Sequence, residues 1–179
     1  MRLKREPWLQ QVPKSRMVYP RTVSDQCKYW LWRIYTPIHP LVREASSRLG
    51  VRKQFIRYIG HEMEHTAGRQ DFLIGVVHPR RSIQELVSFL VAQGFGNHFV
   101  AWKDSDEVVS LRKTLDFEHQ YHIRIFADGE VRCHYEYTPE SHPILHLIRI
   151  GFEDRTLEFS ELLRGWVQAP DDSPTKKVY

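Results

Sequence analysis

The sequence predicts a single α+β domain. It has a mostly antiparallel sheet of about four or five strands, helices packed on that sheet, and a basic N-terminal arm or helical segment. Three observations predict it. A chain of 179 residues fits one hydrophobic core. Segments of helical and strand period follow one another as helix, strand, helix, several strands and a last helix. An Asp-Gly turn between two alternating segments marks a β-hairpin. The expected boundaries are a basic, proline-containing arm over 1–22, one domain over 23–169 and a flexible tail over 170–179.

The elements follow in chain order. Pro7, Pro13 and Pro20 interrupt regular structure in the arm. From Cys27 to Tyr35 aromatic residues fall on both alternating faces, so periodicity leaves helix and strand open. Thr36-Pro37-Ile38-His39-Pro40 is expected to break that segment, with a short helix from Pro40 to Gly50. Val51, Phe55, Ile56, Ile59 and Met63 predict a helix over 51–66. Asp71 to His78 is a short apolar run closed by Pro79, which reads as a buried strand. Ser82 with Glu85 three residues on is a reciprocal capping pattern and opens a helix through Val91, ended by Gly94-Phe-Gly96. His98–Trp102 and Val108–Leu111 read as strands joined by an acidic turn over 104–107.

The clearest hairpin runs from Tyr121 to Tyr137. A three-residue loop, Ala127-Asp128-Gly129, puts glycine where a left-handed conformation is needed. It pairs Ile125 with Val131, Ile123 with Cys133 and Tyr121 with Tyr135, giving one apolar face. Arg124 then opposes Arg132, and His122 opposes His134. The two-residue loop would mix polar and apolar residues on both faces, which a half-buried sheet disfavours. Thr138-Pro139-Glu140 reads as a helix start limited by Pro143, and Ser160–Val167 as the last helix.

Composition narrows the class. Five Trp, eight Tyr and nine Phe supply enough large apolar surface for a packed core. No apolar run approaches the length needed to cross a bilayer, and the start lacks the apolar stretch of a secretion signal, so no membrane contact is expected. Cys27 and Cys133 stand far apart in no metal-type spacing and read as reduced thiols, which fits a cytoplasmic protein. Charge is uneven. Residues 1–60 hold thirteen Lys/Arg against three acids, and residues 61–179 hold thirteen against nineteen. Such a split points either to a charged partner or to attraction between the two parts within one fold.

Three constellations could carry chemistry. In the basic N-terminal third, Arg5, Lys14, Arg16, Arg21, Lys28, Arg33, Arg52, Lys53 and Arg57 interleave with aromatics that include Trp30 and Trp32. Cations for phosphates beside aromatic faces for unpaired bases suit nucleic acid or another acidic partner, such as an acidic protein. This is the leading expectation for function, with a non-catalytic interaction module as another.

The second is His61-Glu62-Met63-Glu64-His65 continuing to Gly68 and Asp71. Two imidazoles four residues apart share one side of a helix and could hold zinc, with Glu62 as general base. The eleven-residue string resembles the metzincin-type zinc protease motif, which would imply a turn at Gly68 and Asp71 as third ligand. It departs from that pattern in Glu64, in Tyr58 before the motif and in the lack of any methionine after Met63. The departures favour an ordinary solvated helix face, with a zinc-dependent hydrolase as the alternative reading.

The third is the polar face of the hairpin: His122, Arg124, Arg132 and His134, with Glu136 nearby. It could bind a metal or a phosphate, or host acid–base chemistry, or simply face solvent. Two opposed arginines should repel unless an acid or an anion lies between them.

Overall fold

The computed structural model describes residues 7–48, 72–97, 106–142, 146 and 153–169. After a 3-10 turn at Pro7–Gln11 come helix α1 (Val23–Arg48), strand β1 (Phe72–Val77), helix α2 (Ile83–Ala92) and strand β2 (Gly96–Asn97). Strands β3 (Glu107–Thr114), β4 (His119–Phe126) and β5 (Glu130–Tyr137) follow, then helix α3 (Thr156–Leu162) and strand β6 (Val167–Gln168). The strands form one six-stranded sheet in the order β2-β3-β4-β5-β1-β6, and every neighbouring pair is antiparallel. The α+β class holds, with one or two more strands than expected. None of the described helices is long and apolar enough to cross a membrane.

The β4–β5 hairpin has the three-residue register: Ile125 faces Val131, Ile123 faces Cys133, and His122 faces His134. Gly129 takes φ +88°, which an L side chain rarely adopts. β3 extends the pattern, with Val109 opposite Ile125 and Leu111 opposite Ile123. These six side chains are fully buried on one face. There they cluster with Leu86, Val87 and Leu90 of α2 and with Phe159 and Leu163 at α3, while Trp8, Leu9 and Val12 pack at the margin. Residues just after the 3-10 turn also reach the sheet edge, where Asn97 N donates to Pro13 O at 2.8 Å and Ser15 N to Asn97 O at 3.0 Å.

α2 starts as the capping pattern requires. The Ser82 hydroxyl accepts from Glu85 N at 3.2 Å, and the Glu85 carboxylate accepts from Ser82 N at 2.7 Å.

Several expectations are corrected. The segment from Thr36 to Pro40 does not end a helix, and no separate helix starts at Pro40. α1 runs unbroken from Val23, capped by Thr22, whose hydroxyl accepts from Asp25 N at 3.1 Å. Pro37 and Pro40 each remove one backbone bond, yet their φ is helical, and the Thr36 hydroxyl donates to Trp32 O at 2.8 Å. Glu107 is not in a turn but opens β3. Thr138 itself is buried in a tight turn, its hydroxyl donating to Phe117 O, and residues 143–145 that follow the turn lie outside the described residues. The last helix begins four residues early, at Thr156, where the Asp154 side chain accepts from Thr156 N at 2.8 Å. Gly165 at φ +76° then turns the chain, and Val167 pairs with β1 instead of extending a helix. The helix expected over 51–66 and the strand over 98–102 lie outside the described residues.

Candidate metal centre

Alternation along β3, β4 and β5 puts a polar side chain at every second position, opposite the core. Cross-strand register arranges them in rows: Ser110–Arg124–Arg132, Arg112–His122–His134 and Thr114–Gln120–Glu136. This face is not the solvated one that half-buried sheets commonly carry. Ser110, Arg112, Gln120, His134 and Glu136 are each no more than 4% exposed. Buried polar groups cost several kcal/mol, of order ~2–7, unless hydrogen-bonded, so the pairing among them decides what the face can do.

The centre of the face is an imidazole pair and a carboxylate. His122 Nδ1 and His134 Nε2 are 2.9 Å apart, with ring planes at 74°. Glu136 lies two residues beyond His134 on the same strand face. Its Oε1 is 3.2 Å from His122 Nδ1, and its Oε2 is 3.3 Å from His134 Nε2. Among the described residues, these three form the group whose ligand atoms converge closely enough to share a metal ion. His146 stands beside them, its Nδ1 2.8 Å from Tyr137 O and 3.3 Å from Glu136 Oε2.

Each of two ligand candidates is held from behind. His122 Nε2 is 2.7 Å from the Ser110 hydroxyl. Glu136 Oε1 accepts from Gln120 Nε2 at 2.6 Å. The Gln120 carbonyl accepts from Arg112 at 2.9 Å, and Arg112 grips Glu140 through two bonds of 2.7 and 3.1 Å and donates to Ser15 Oγ at 2.6 Å. The Arg112 contact fixes which end of the Gln120 amide faces Glu136. A chain from Glu140 through Arg112 and Gln120 therefore orients the carboxylate.

Ionisation suits a cation. Burial lowers the His122 pKa, against the pull of Glu136, so the ring is neutral near pH 7. Burial also pushes the Glu136 carboxyl upward, but attraction to His146, His134 and His122 and a hydrogen bond with His122 override it and hold Glu136 well below the usual carboxylate range. His122 thus turns Nε2 to the Ser110 hydroxyl and Nδ1 to both Glu136 Oε1 and His134 Nε2. Glu136 Oε2 accepts no hydrogen bond although it is buried. That atom is an acceptor aimed into the centre.

Dimensions fit as well. Donor atoms about 2.0–2.1 Å from a tetrahedral zinc lie about 3.3 Å from one another; here the two imidazole nitrogens are 2.9 Å apart, and each has one of the two Glu136 oxygens at 3.2 or 3.3 Å. Two imidazoles and one carboxylate are a zinc-type donor set, and three protein ligands leave a fourth position open.

The opposed arginines are resolved without a ligand between them. Arg124 pairs with Glu107 at 2.8 Å and Arg132 with Glu130 at 2.5 Å, and both guanidinium groups lie over the Phe126 ring at 5.0 and 4.8 Å. Their carboxylates come from the start of β3 and the start of β5.

The other singled-out residues fall elsewhere. His61, Glu62, His65, Asp71, Arg5, Arg52, Lys53 and Arg57 lie outside the described residues. Lys14, Arg16, Arg21 and Arg33 are exposed. Lys28 is committed to Asp25 and Glu118 at 3.5 and 3.2 Å. Trp30 is exposed, whereas Trp32 is buried and stacks on Tyr29. Sequence reasoning brought His122 to His134, put Glu136 near them and counted His146 among the histidines around the hairpin, but it missed Ser110, Arg112, Gln120 and Glu140. Ser110 and Arg112 alternate with Val109 and Leu111, a signal that was readable once the strand was extended past Leu111. Glu140 left no local signal, because the turn after β5 brings it in.

No family model, curated protein or solved structure matches this chain.

Proposed function

We propose that this protein binds one zinc-class divalent metal ion through His122 Nδ1, His134 Nε2 and Glu136. The observation that carries the reading is the convergence of two imidazole nitrogens 2.9 Å apart on one carboxylate, whose two oxygens lie 3.2 Å from one ring and 3.3 Å from the other, with His134 and Glu136 almost wholly buried. Burying a carboxylate without hydrogen bonds to one of its oxygens is expensive, and a cation removes that cost. Bound with one position open, such an ion supplies Lewis-acid activation at that position. Ser110 fixes the ring of His122, while Gln120, set by Arg112, fixes Glu136. Outer partners of this kind are worth 10- to 100-fold in metal affinity, in round figures of about that size.

The test is a cobalt(II) titration of chelator-treated protein, followed by visible absorption. The expected result is saturation at one ion per chain with the strong bands of four-coordinate cobalt. The His122→Ala/His134→Ala variant should lose them while keeping its far-UV circular dichroism. Undiminished binding in that variant, with loss in His61→Ala/His65→Ala, would move the site to the His-Glu-x-x-His string and end this proposal.

A second reading concerns the N-terminal third as a contact for nucleic acid or another acidic partner. It is supported by the exposure of Arg16, Arg21 and Arg33 and by Arg33 lying 5.4 Å over the exposed Trp30 ring. Affinity for a single-stranded oligonucleotide should then fall steeply with salt and fall further in Arg16→Ala/Arg21→Ala/Arg33→Ala. An affinity flat in salt would end that reading.

A further inference from the structure

α1 has two apolar sides, and only one of them meets the rest of the described residues. The side carrying Lys28 and Trp32 meets the rest of the chain, with Lys28 on Glu118 and Trp32 6% exposed. A second side, roughly a third of a turn round the helix, carries Cys27, Leu31, Ile34, Ile38 and Leu41, spaced by four, three, four and three residues. That is the alternation of a coiled-coil seam, which keeps apolar side chains facing a second helix. Leu31, Ile34, Ile38 and Leu41 are 69, 62, 46 and 68% exposed, and Cys27 is exposed too. Trp30, 58% exposed, flanks the seam. No charged residue interrupts the five positions.

Scattered exposed apolar residues are ordinary, but a continuous stripe at one helical angle is not. With Trp30 and Val23 included, the stripe offers on the order of 600 Å² per copy at ordinary side-chain areas, so two copies would bury roughly 1,200 Å², the lower end for specific interfaces. A seam of this spacing is complementary to itself, which a two-fold pair requires.

We infer that the occupant of this face is the α1 helix of a second copy, making the protein a homodimer joined by a helix–helix seam. Two observations select a second copy over an acidic partner: the seam is uncharged, and its doubled area reaches what a stable pair needs. Neither involves the histidine centre, so this inference stands apart from the metal reading.

Sedimentation equilibrium of the full chain tests it, comparing wild type with Ile34→Glu/Leu41→Glu, alongside thermal melts of both. The expected result is a species of twice the 21.4 kDa chain mass at micromolar concentration. The variant should be monomeric and still unfold cooperatively, with a melt that no longer depends on protein concentration, because the substituted side chains are exposed within one copy. A wild type that stays monomeric at 100-fold higher concentration overturns the inference. So does a dimer that survives the substitutions. A variant that loses folded structure also overturns it, since the stripe would then be covered by the same chain.

Discussion

At the scale of single residues, the centre is defined by a carboxylate that is buried and still ionised. Glu136 keeps its charge because His146, His134 and His122 surround it and because Gln120 donates to it at 2.6 Å. Glu136→Gln keeps the shape and removes the charge, so metal affinity should fall by at least tenfold, while Ser110→Ala should cost about 10- to 100-fold by freeing the His122 ring. Competition with a chromogenic chelator reads both, and unchanged affinity in either variant would remove that residue from the centre. Away from the site, Gly129 sits at φ +88°, and an added Cβ would lie 3.3 Å from Val76 Cγ1. Gly129→Ala should therefore destabilise the fold by about 1–2 kcal/mol in urea unfolding; a neutral effect would mean that the turn can relax. The histidine pair was legible in the sequence, because Gly129 and the apolar pattern of Ile123, Ile125, Val131 and Cys133 together admit one register. The support behind it was not, because Arg112, Gln120 and Glu140 meet only through the pairing of β3 with β4 and the turn after β5.

At the scale of elements, those with local punctuation were readable and those without it were misread. β1 and α2 appear where an apolar run and a capping pair announced them. Ser82→Ala should cost about 1 kcal/mol, the usual worth of an N-cap. The Glu85 carboxyl is held below its ordinary value by the backbone N–H of Ser82 first and its hydroxyl second. A lowered carboxylate stabilises the folded state fully above its unfolded pKa and loses that contribution as pH falls through the lowered folded value. Glu85→Gln should thus flatten the loss of stability in acid, as measured by melts between about pH 3 and 6. An unaltered slope would show that the cap carries no acid dependence. α1 was misread because proline weakens a helix without forbidding it. Two missing N–H groups, at Pro37 and Pro40, are tolerated within 26 helical residues. α3 was displaced because Asp154 and Gly165 act as start and stop through backbone geometry that residue type only suggests.

At the scale of the whole molecule, one sheet has two different faces. The apolar face holds the fold together through α2 and α3, and Phe159, 1% exposed against Tyr121 at 4.9 Å, is a keystone of that packing. Phe159→Ala should cost about 3–5 kcal/mol in chemical unfolding; a cost under 1 kcal/mol would mean the layer repacks freely. On the proposed reading, the polar face trades stability for a preorganised cation site. Because an ion binds only the folded state, zinc at 100 times its dissociation constant should add about 2.7 kcal/mol, or a rise in Tm of roughly 5–10 °C for a chain of this size. The most direct measurement of the central claim is elemental analysis of tag-free protein purified without chelator, wild type beside His122→Ala/His134→Ala. The account predicts close to one zinc or similar ion per wild-type chain and none in the variant. Equal metal in the two proteins, or none in the wild type even after incubation with zinc and gel filtration, would contradict it.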